Sequence, residues 1–193
     1  NAILDNLKAK LSSNESVLIY DHRNRKVTGT QILESIDRIA CDLITAGIKQ
    51  GDRVIFLVRP SIESILYFFA LLRAGAIVVL VDPEMGQENF VSRIEFSKPR
   101  FILQDRILER VEKYSFIKPI LRFFNIWFPD KLPIANENKI TIKALESILE
   151  TKTTDIFQEK MTDVDEDMLI IFTSGTVTEP KGVVHSYHSL SSA

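Results

Sequence analysis

Short apolar runs that alternate with helix-like stretches are the feature of this sequence that most constrains its fold. Three runs, Val54-Ile-Phe-Leu-Val58, Ala76-Ile-Val-Val-Leu-Val81 and Met168-Leu-Ile-Ile-Phe172, are apolar at successive positions, which is typical of strands buried on both faces. A helical stretch from Pro60 to Arg73 separates the first two runs. Strands of this kind need helices on both sides, so the pattern predicts a three-layer α/β fold with a mainly parallel sheet.

Helix and strand signals continue along the chain. Thr28 and Gln31 have the spacing of a capping box, and the apolar positions that follow recur at helical spacing up to Gly47, which suits a C-terminal cap. We therefore expect a helix within 28–48. Further elements are expected as a helix at 87–97, a third strand at 101–103 and a helix near 142–149.

The composition excludes several classes of protein. With 193 residues, of which 45% are hydrophobic, the chain is long enough to bury a substantial core and is not a disordered tail. Its 24 Lys and Arg nearly balance 26 Asp and Glu, so we expect no nucleic-acid partner. The single cysteine, Cys41, excludes an intramolecular disulfide and favours a reducing, cytoplasmic location. The most apolar run, 65–81, is interrupted by Arg73 and Gly75, so we expect no transmembrane segment.

The most informative segment is Thr173-Ser-Gly-Thr-Val-Thr-Glu-Pro-Lys-Gly182, which directly follows the third apolar run. Hydroxyls and backbone N–H groups donate hydrogen bonds to phosphate oxygens, glycine lets the backbone approach a ligand, and a lysine adds a point charge. The segment is therefore interpreted as a phosphate-binding loop. A surface turn rich in Ser and Thr has a similar composition, and it stays open as the alternative.

Other site types find less support. Pro180 stands where a Walker-type loop needs glycine before its lysine, and no G-x-G-x-x-G dinucleotide fingerprint or G-x-S-x-G hydrolase motif occurs. His185 and His188 lack a third ligand at metal-site spacing, so no metal site is predicted. Cys41 has no motif partner and is interpreted as a packing residue.

The sequence resembles the adenylate-forming enzymes of the ANL superfamily, which include acyl-CoA synthetases, fatty acyl-AMP ligases, firefly luciferase and peptide-synthetase adenylation domains. The segment 172–184 is similar to the family's phosphate-binding signature, T-S-G-[ST]-T-G-x-P-K-G-V. Three upstream segments resemble family signatures in the expected order: Gly51-Asp-Arg-Val54, Ala70-Leu-Leu-Arg-Ala-Gly-Ala76 and Val81-Asp-Pro83.

The resemblance implies an ATP-dependent, AMP-forming carboxylic acid ligase. Lys181 would be the catalytic residue that stabilises the departing pyrophosphate, and Mg²⁺ would arrive with ATP. A small-molecule acid, fatty or otherwise apolar, would be activated and then transferred to a thiol or hydroxyl, with coenzyme A or a carrier protein as acceptor. ATP phosphates would be bound by the hydroxyls, amides and glycines of the segment, namely Thr173, Ser174, Gly175, Thr176, Thr178, Lys181 and Gly182.

The sequence departs from the family pattern at two positions of this segment. Val177 replaces a usual Thr or Ser, and Thr178 stands where the family has glycine, so a β-carbon restricts the loop there. A finer likeness is Asp82-Pro-Glu-Met-Gly86, which is similar to the D-P-G-M-G of a subgroup containing olefin β-lactone synthetases, with Glu84 as a departure.

The resemblance also implies that 1–193 is the N-terminal portion of an AMP-binding domain, without the C-terminal remainder and the small lid domain. The isolated segment is then expected to be inactive. A rival interpretation from another class is a non-catalytic nucleotide- or partner-binding module that keeps the scaffold, and Thr178 favours it. Two features stay open: the aromatic segment 116–128 is a packed helix, an acyl entrance or a membrane contact, and Arg59 and Glu63 either pair or face solvent.

Overall fold

A six-stranded sheet with helices on both faces forms the body of the protein. The structure, a computed structural model, describes residues 2–12, 16–21, 24–82, 85–114, 134–151, 166–172 and 181–191. The helices in chain order are α1 Ala2–Leu11, α2 Gly29–Thr45, α3 Ile62–Arg73, α4 Gln87–Ser97, α5 Arg106–Lys113, α6 Leu145–Glu150 and α7 Tyr187–Ser191. The strands are β1 Val17–Tyr20, β2 Lys26–Thr28, β3 Arg53–Leu57, β4 Ile77–Leu80, β5 Phe101–Gln104, β6 Lys139–Thr141, β7 Asp167–Phe172 and β8 Gly182–Ser186.

The sheet order confirms the predicted mainly parallel architecture. The strands lie in the order β6-β5-β3-β4-β7-β8, and each neighbouring pair is parallel except β7 with β8. The first two strands of the chain, β1 and β2, form a separate antiparallel hairpin. Because all strands from β3 to β7 run the same way, their carboxyl ends meet at one edge of the sheet.

Successive residues of each strand belong to two different cores. Val54 and Val78 pack with α2, α3 and α6, whereas Ile55 and Val79 pack on the opposite face with α4 and α5. This alternation is the period of two that a pleated strand imposes on its side chains. The doubly apolar runs of the sequence are therefore explained by helices on both faces, and the three-layer prediction is confirmed.

Local signals located several helices correctly. The capping box at the start of α2 is present, since the Thr28 side chain accepts from Gln31 N and the Gln31 side chain accepts from Thr28 N. The stretch expected from Pro60 becomes helical only at Ile62, because Ser61 is the N-cap and accepts from Ser64 N at 3.1 Å. The hairpin, α5, β6 and β8 were not predicted.

A buried ion pair fastens the hairpin to the body of the protein. Arg25, which lies just before β2, donates from its two Nη atoms to the two carboxylate oxygens of Glu63 at 2.6 and 3.1 Å. Its Nε donates to Asp21 at 2.7 Å. Glu63 also accepts from Leu145 N at 3.2 Å, so one carboxylate joins the hairpin, α3 and α6.

The charge of Glu63 is maintained by these contacts despite its burial. Burial raises the pKa of a carboxyl because it disfavours the charged form, but the hydrogen bond and the positive charge of Arg25 act in the opposite direction. The second effect is larger in sum, and the pKa of Glu63 lies below its ordinary value of 4.5. Ionised Glu63 therefore contributes stability above that pH, and this contribution is lost as the pH falls below it.

Replacing Glu63 tests this anchor. We expect Glu63→Gln to lower the free energy of unfolding by roughly 3 kcal/mol at neutral pH, because it leaves Arg25 partly buried without its main counter-charge. The variant should also lose less stability than the parent chain as the pH falls below about 4.5. Urea denaturation at several pH values measures both effects.

Glu146 provides a matched control for this experiment. Its carboxylate lies 3.7 Å from the same Arg25 guanidinium but is largely exposed. Glu146→Gln should change the free energy of unfolding by less than about 1 kcal/mol, as exposed ion pairs usually do. Equal losses in the two variants, or parallel pH profiles for Glu63→Gln and the parent chain, would contradict the anchoring role.

Candidate functional site

The carboxyl edge of the sheet is the place where this fold can build a site. The chain leaves β3 toward α3 on one face and leaves the neighbouring strand β4 toward α4 on the other face. Connections that diverge in this way open a crevice outside the carboxyl ends of adjacent strands, which is where open α/β sheets bind ligands. Polar residues that follow strands at this edge include Arg59 after β3, Asp82 after β4 and Asp105 after β5.

Lys181 and Gly182 lie at this same edge. The first residue of β8, Gly182, pairs with Phe172, the last residue of β7. Lys181 is therefore adjacent to the carboxyl end of a parallel strand, and it is exposed. The segment 173–180 that connects these two strands, and with it Thr173, Ser174, Gly175, Thr176 and Thr178, lies outside the described residues.

The glycine at 182 has a structural reason that the sequence did not indicate. A β-carbon at this position would lie 3.1 Å from Ile170 Cγ2 and 3.2 Å from Phe172 Cε1, which is closer than ordinary packing. Gly182 thus lets β8 pair with β7 at a point where two side chains of β7 occupy the space of a β-carbon. Whether it also permits the approach of a phosphate stays a prediction.

Gly86 of the Asp82-Pro-Glu-Met-Gly86 segment is required by its backbone conformation. Its φ is +87°, a region that residues with a β-carbon rarely adopt, and no atom lies within 4 Å of where that carbon would be. Gly86 is the N-cap of α4 and offers no side chain to cap it. Asp82 is exposed at the end of β4, while Pro83 and Glu84 lie outside the described residues.

Arg59 and Glu63 do not form the pair with each other that the sequence left open. Glu63 is buried against Arg25, whereas the Nε of Arg59 donates to Asp105 Oδ2 at 2.6 Å. The other oxygen of Asp105 accepts from the amides of Ile107 and Leu108, both at 2.9 Å, and so caps α5. Sequence reasoning missed Asp105, although an Asp directly after a strand and before an amphipathic stretch is a helix-start signal.

A cleft of about 810 Å³ opens between these groups. Its walls come from the hairpin, the β3–α3 connection and the start of α5. Among the described residues, three acids line it, and all three are engaged in the contacts just described: Asp21, Glu63 and Asp105. Four arginines of the same ranges also line it: Arg25, Arg59, Arg106 and Arg110.

A buried tyrosine of α7 and the remaining candidates from the sequence have structural roles or lie outside the described ranges. Tyr187 is buried, and its hydroxyl donates to Leu72 O at 3.0 Å. Cys41 is half-buried in α2. The aromatic segment 116–128 is not among the described residues.

The described ranges hold neither a candidate metal site nor a candidate membrane span. They contain no group of three or more His, Cys, Asp or Glu side chains placed to hold a metal ion, and His185 and His188 lie in the neighbouring elements β8 and α7. The helices within the same ranges include none that is long and apolar enough to cross a membrane.

Comparisons with known proteins agree with this geometry. The chain is 27% identical over 176 residues to acetyl-coenzyme A synthetase from Dictyostelium discoideum, covering 84% of this chain and 25% of that protein. It is 29% identical over 157 residues to olefin beta-lactone synthetase from Xanthomonas campestris, covering 78% of this chain and 26% of the relative. The fold matches Mycobacterium tuberculosis fatty acyl CoA synthetase with a TM-score of 0.68 at 20% identity, over 96% of this chain and 34% of that one.

The chain thus spans about a quarter of each of these two curated relatives and about a third of the solved structure. The family model described as AMP-binding enzyme matches residues 7–193, nearly the whole chain. The ordered sequence signatures, the parallel sheet and the position of Lys181 at its carboxyl edge are all consistent with that match. The protein belongs to the AMP-binding enzyme family, within the superfamily of adenylate-forming enzymes.

Proposed function

We propose that this chain is the N-terminal portion of the AMP-binding domain of an AMP-forming carboxylic acid ligase. Family membership supports the proposal. The position of Lys181 beside the end of β7 is the observation that supports a phosphate-binding site at this edge of the sheet. The remainder of that domain and a small lid domain would complete the enzyme. The chain's contribution would be to hold the triphosphate of ATP.

In the proposed reaction, a carboxylate oxygen bonds to the α-phosphorus of ATP and the bond to the β-phosphate bridging oxygen breaks. The products are an acyl-adenylate and pyrophosphate. The physical obstacle is charge, because an anion attacks a centre that is flanked by other anions. Donors and cations held in place before the reaction lower this barrier, since they stabilise charge as it develops on the phosphates.

Lys181 is well suited to this task. Lys181 is exposed, and within the described part of the chain no ion pair or hydrogen bond engages its ammonium, so it is free to bind an anion at the carboxyl edge of the sheet. A lysine acts as a compact point charge toward phosphate. The hydroxyls of Thr173, Ser174, Thr176 and Thr178 would add neutral donors, and Mg²⁺ bound with ATP would supply further neutralisation of phosphate charge.

The substrate is proposed to be a fatty or otherwise apolar acyl acid. The Asp82-Pro-Glu-Met-Gly86 segment resembles the D-P-G-M-G of a subgroup that contains olefin β-lactone synthetases, and one relative is an olefin beta-lactone synthetase. The acceptor would be the thiol of coenzyme A or of a carrier protein, or a hydroxyl. A relative named acetyl-coenzyme A synthetase supports the coenzyme A option.

Replacing Lys181 tests its role in the proposed site. In the complete enzyme that carries this segment, Lys181→Ala should slow ATP–pyrophosphate exchange by about a hundredfold or more, as loss of one preorganised charge-stabilising donor typically does. Lys49, which is exposed at the opposite edge of the sheet, is the matched control, and Lys49→Ala should exchange normally. Unchanged exchange in Lys181→Ala would remove this residue from the mechanism.

The 193-residue chain by itself should show no ATP–pyrophosphate exchange, because the proposed site also needs groups from the remainder of the domain. The same assay run on the purified chain measures this, with circular dichroism to verify that the chain is folded. Turnover by the purified chain would contradict the proposed division of the domain.

The substrate class is tested by offering the complete enzyme a panel of acids. We expect long-chain and β-hydroxy acids to trigger pyrophosphate release, and amino and aryl acids to give little. The reverse preference would reject the apolar-acid proposal and leave the ligase proposal standing.

A non-catalytic nucleotide- or partner-binding module is the second candidate, favoured by one observation. Thr178 carries a β-carbon where the family signature has glycine. The two candidates differ in a simple measurement, because a binding module would bind ATP in equilibrium dialysis and still release no pyrophosphate with any acid of the panel.

A further inference from the structure

Among the described residues that line the cleft between the hairpin, the β3–α3 connection and α5, the exposed charges are of one sign. Of its three acids, Glu63 and Asp105 are buried residues, and the side chain of Asp21 is about one-tenth exposed. In contrast, the side chain of Arg59 is 68% exposed, and Arg106 and Arg110 are exposed at the start and middle of α5. The charged side chains that solvent reaches among these residues are therefore arginines.

Apolar side chains stand beside these arginines on the same cleft. Tyr20 of the hairpin is 60% exposed, Ile65 of α3 is 39% exposed and Ile107 of α5 is 41% exposed, and all three line the cleft. Single exposed apolar residues are normal on a protein surface. Three of them from three separate elements, gathered beside three exposed arginines, mark an interaction surface.

We propose that this cleft docks the protein on a membrane surface that contains anionic phospholipids. The guanidinium groups of Arg59, Arg106 and Arg110 would donate to lipid phosphates, for which their planar geometry is suited. Tyr20, Ile65 and Ile107 would lie at the boundary between headgroups and acyl chains, where amphipathic surfaces place such residues. The docking surface is defined by these six residues.

The mixture of groups favours a lipid surface over a soluble anion. A soluble polyanion would satisfy the arginines but would leave Ile65 and Ile107 exposed to water. The chain carries a net charge of -2, so general electrostatic attraction to anions does not account for binding, and the local cationic cluster must supply it. Glu109, an exposed acid of α5, does not line the cleft.

Vesicle co-sedimentation of the chain tests the proposal. We expect binding to vesicles of equal parts phosphatidylglycerol and phosphatidylcholine, weakening as salt is added, and little binding to phosphatidylcholine alone. The triple variant R59Q/R106Q/R110Q should bind the anionic vesicles on the order of a hundredfold more weakly, at about fivefold for each charge. Circular dichroism verifies that the variant is folded.

A triple variant of exposed lysines away from the cleft, K10Q/K49Q/K98Q, removes the same charge and is the matched control. It should bind the anionic vesicles within a fewfold of the parent chain. Equal weakening in the two triple variants would show that net charge, not this cleft, controls the binding, and it would overturn the proposal.

The apolar part of the surface is tested separately with I65Q/I107Q, which keeps every charge. This variant should bind anionic vesicles about tenfold more weakly, because it loses two apolar groups that the lipid surface would bury. Ile44→Gln, at an exposed position of α2, should have little effect. Binding to soluble polyglutamate as tight as to anionic vesicles, or unimpaired vesicle binding by I65Q/I107Q, would reject a lipid surface as the partner.

Discussion

The burial of parallel strands on both faces is the constraint on which the rest of this structure depends. A strand such as β3 places apolar side chains alternately on its two faces, with Val54 packed toward α2 and α3 and Ile55 toward α4 and α5. Both faces are apolar and must be shielded from water, so helices of the chain pack on each face of the sheet. Returning each time to a parallel strand places every carboxyl end at one edge, and the crevice at that edge follows from the packing.

The family-like signatures divide between the two edges of the sheet. Gly51 and Asp52 lie at the amino edge, where Asp52 accepts from Lys49 N and from Arg100, both at 2.7 Å. Gly75 lies there too, with φ +76° and with Gln50 Cγ 3.1 Å from where its β-carbon would be. These motifs shape tight turns and close packing. The signatures at the carboxyl edge are followed by exposed polar groups. The edge at which a signature lies therefore indicates whether it has a folding role or a candidate chemical role.

The parts of the fold that local physics decides were predictable from the sequence. The capping box of α2 and the doubly apolar runs of β3, β4 and β7 each depend on neighbouring residues alone. The partners of charged side chains were not predictable, because they depend on tertiary placement: Arg25 finds Glu63 across 38 positions of the chain, and Arg59 finds Asp105 across 46. The proposed docking surface depends on such placement as well, since its residues come from three elements.

The sheet order also determines how a docking surface and a nucleotide site could work together. The cleft lies beyond the ends of β3 and β5, whereas Lys181 precedes β8, and β4 and β7 separate β3 from β8. Neighbouring strands lie about 4.8 Å apart, so the two places are separated by roughly 15–20 Å along one edge. A lipid surface at the cleft would bring a source of apolar acids to the edge of the sheet that also carries Lys181. The two proposals can be tested separately, because different strands of the sheet border the cleft and Lys181.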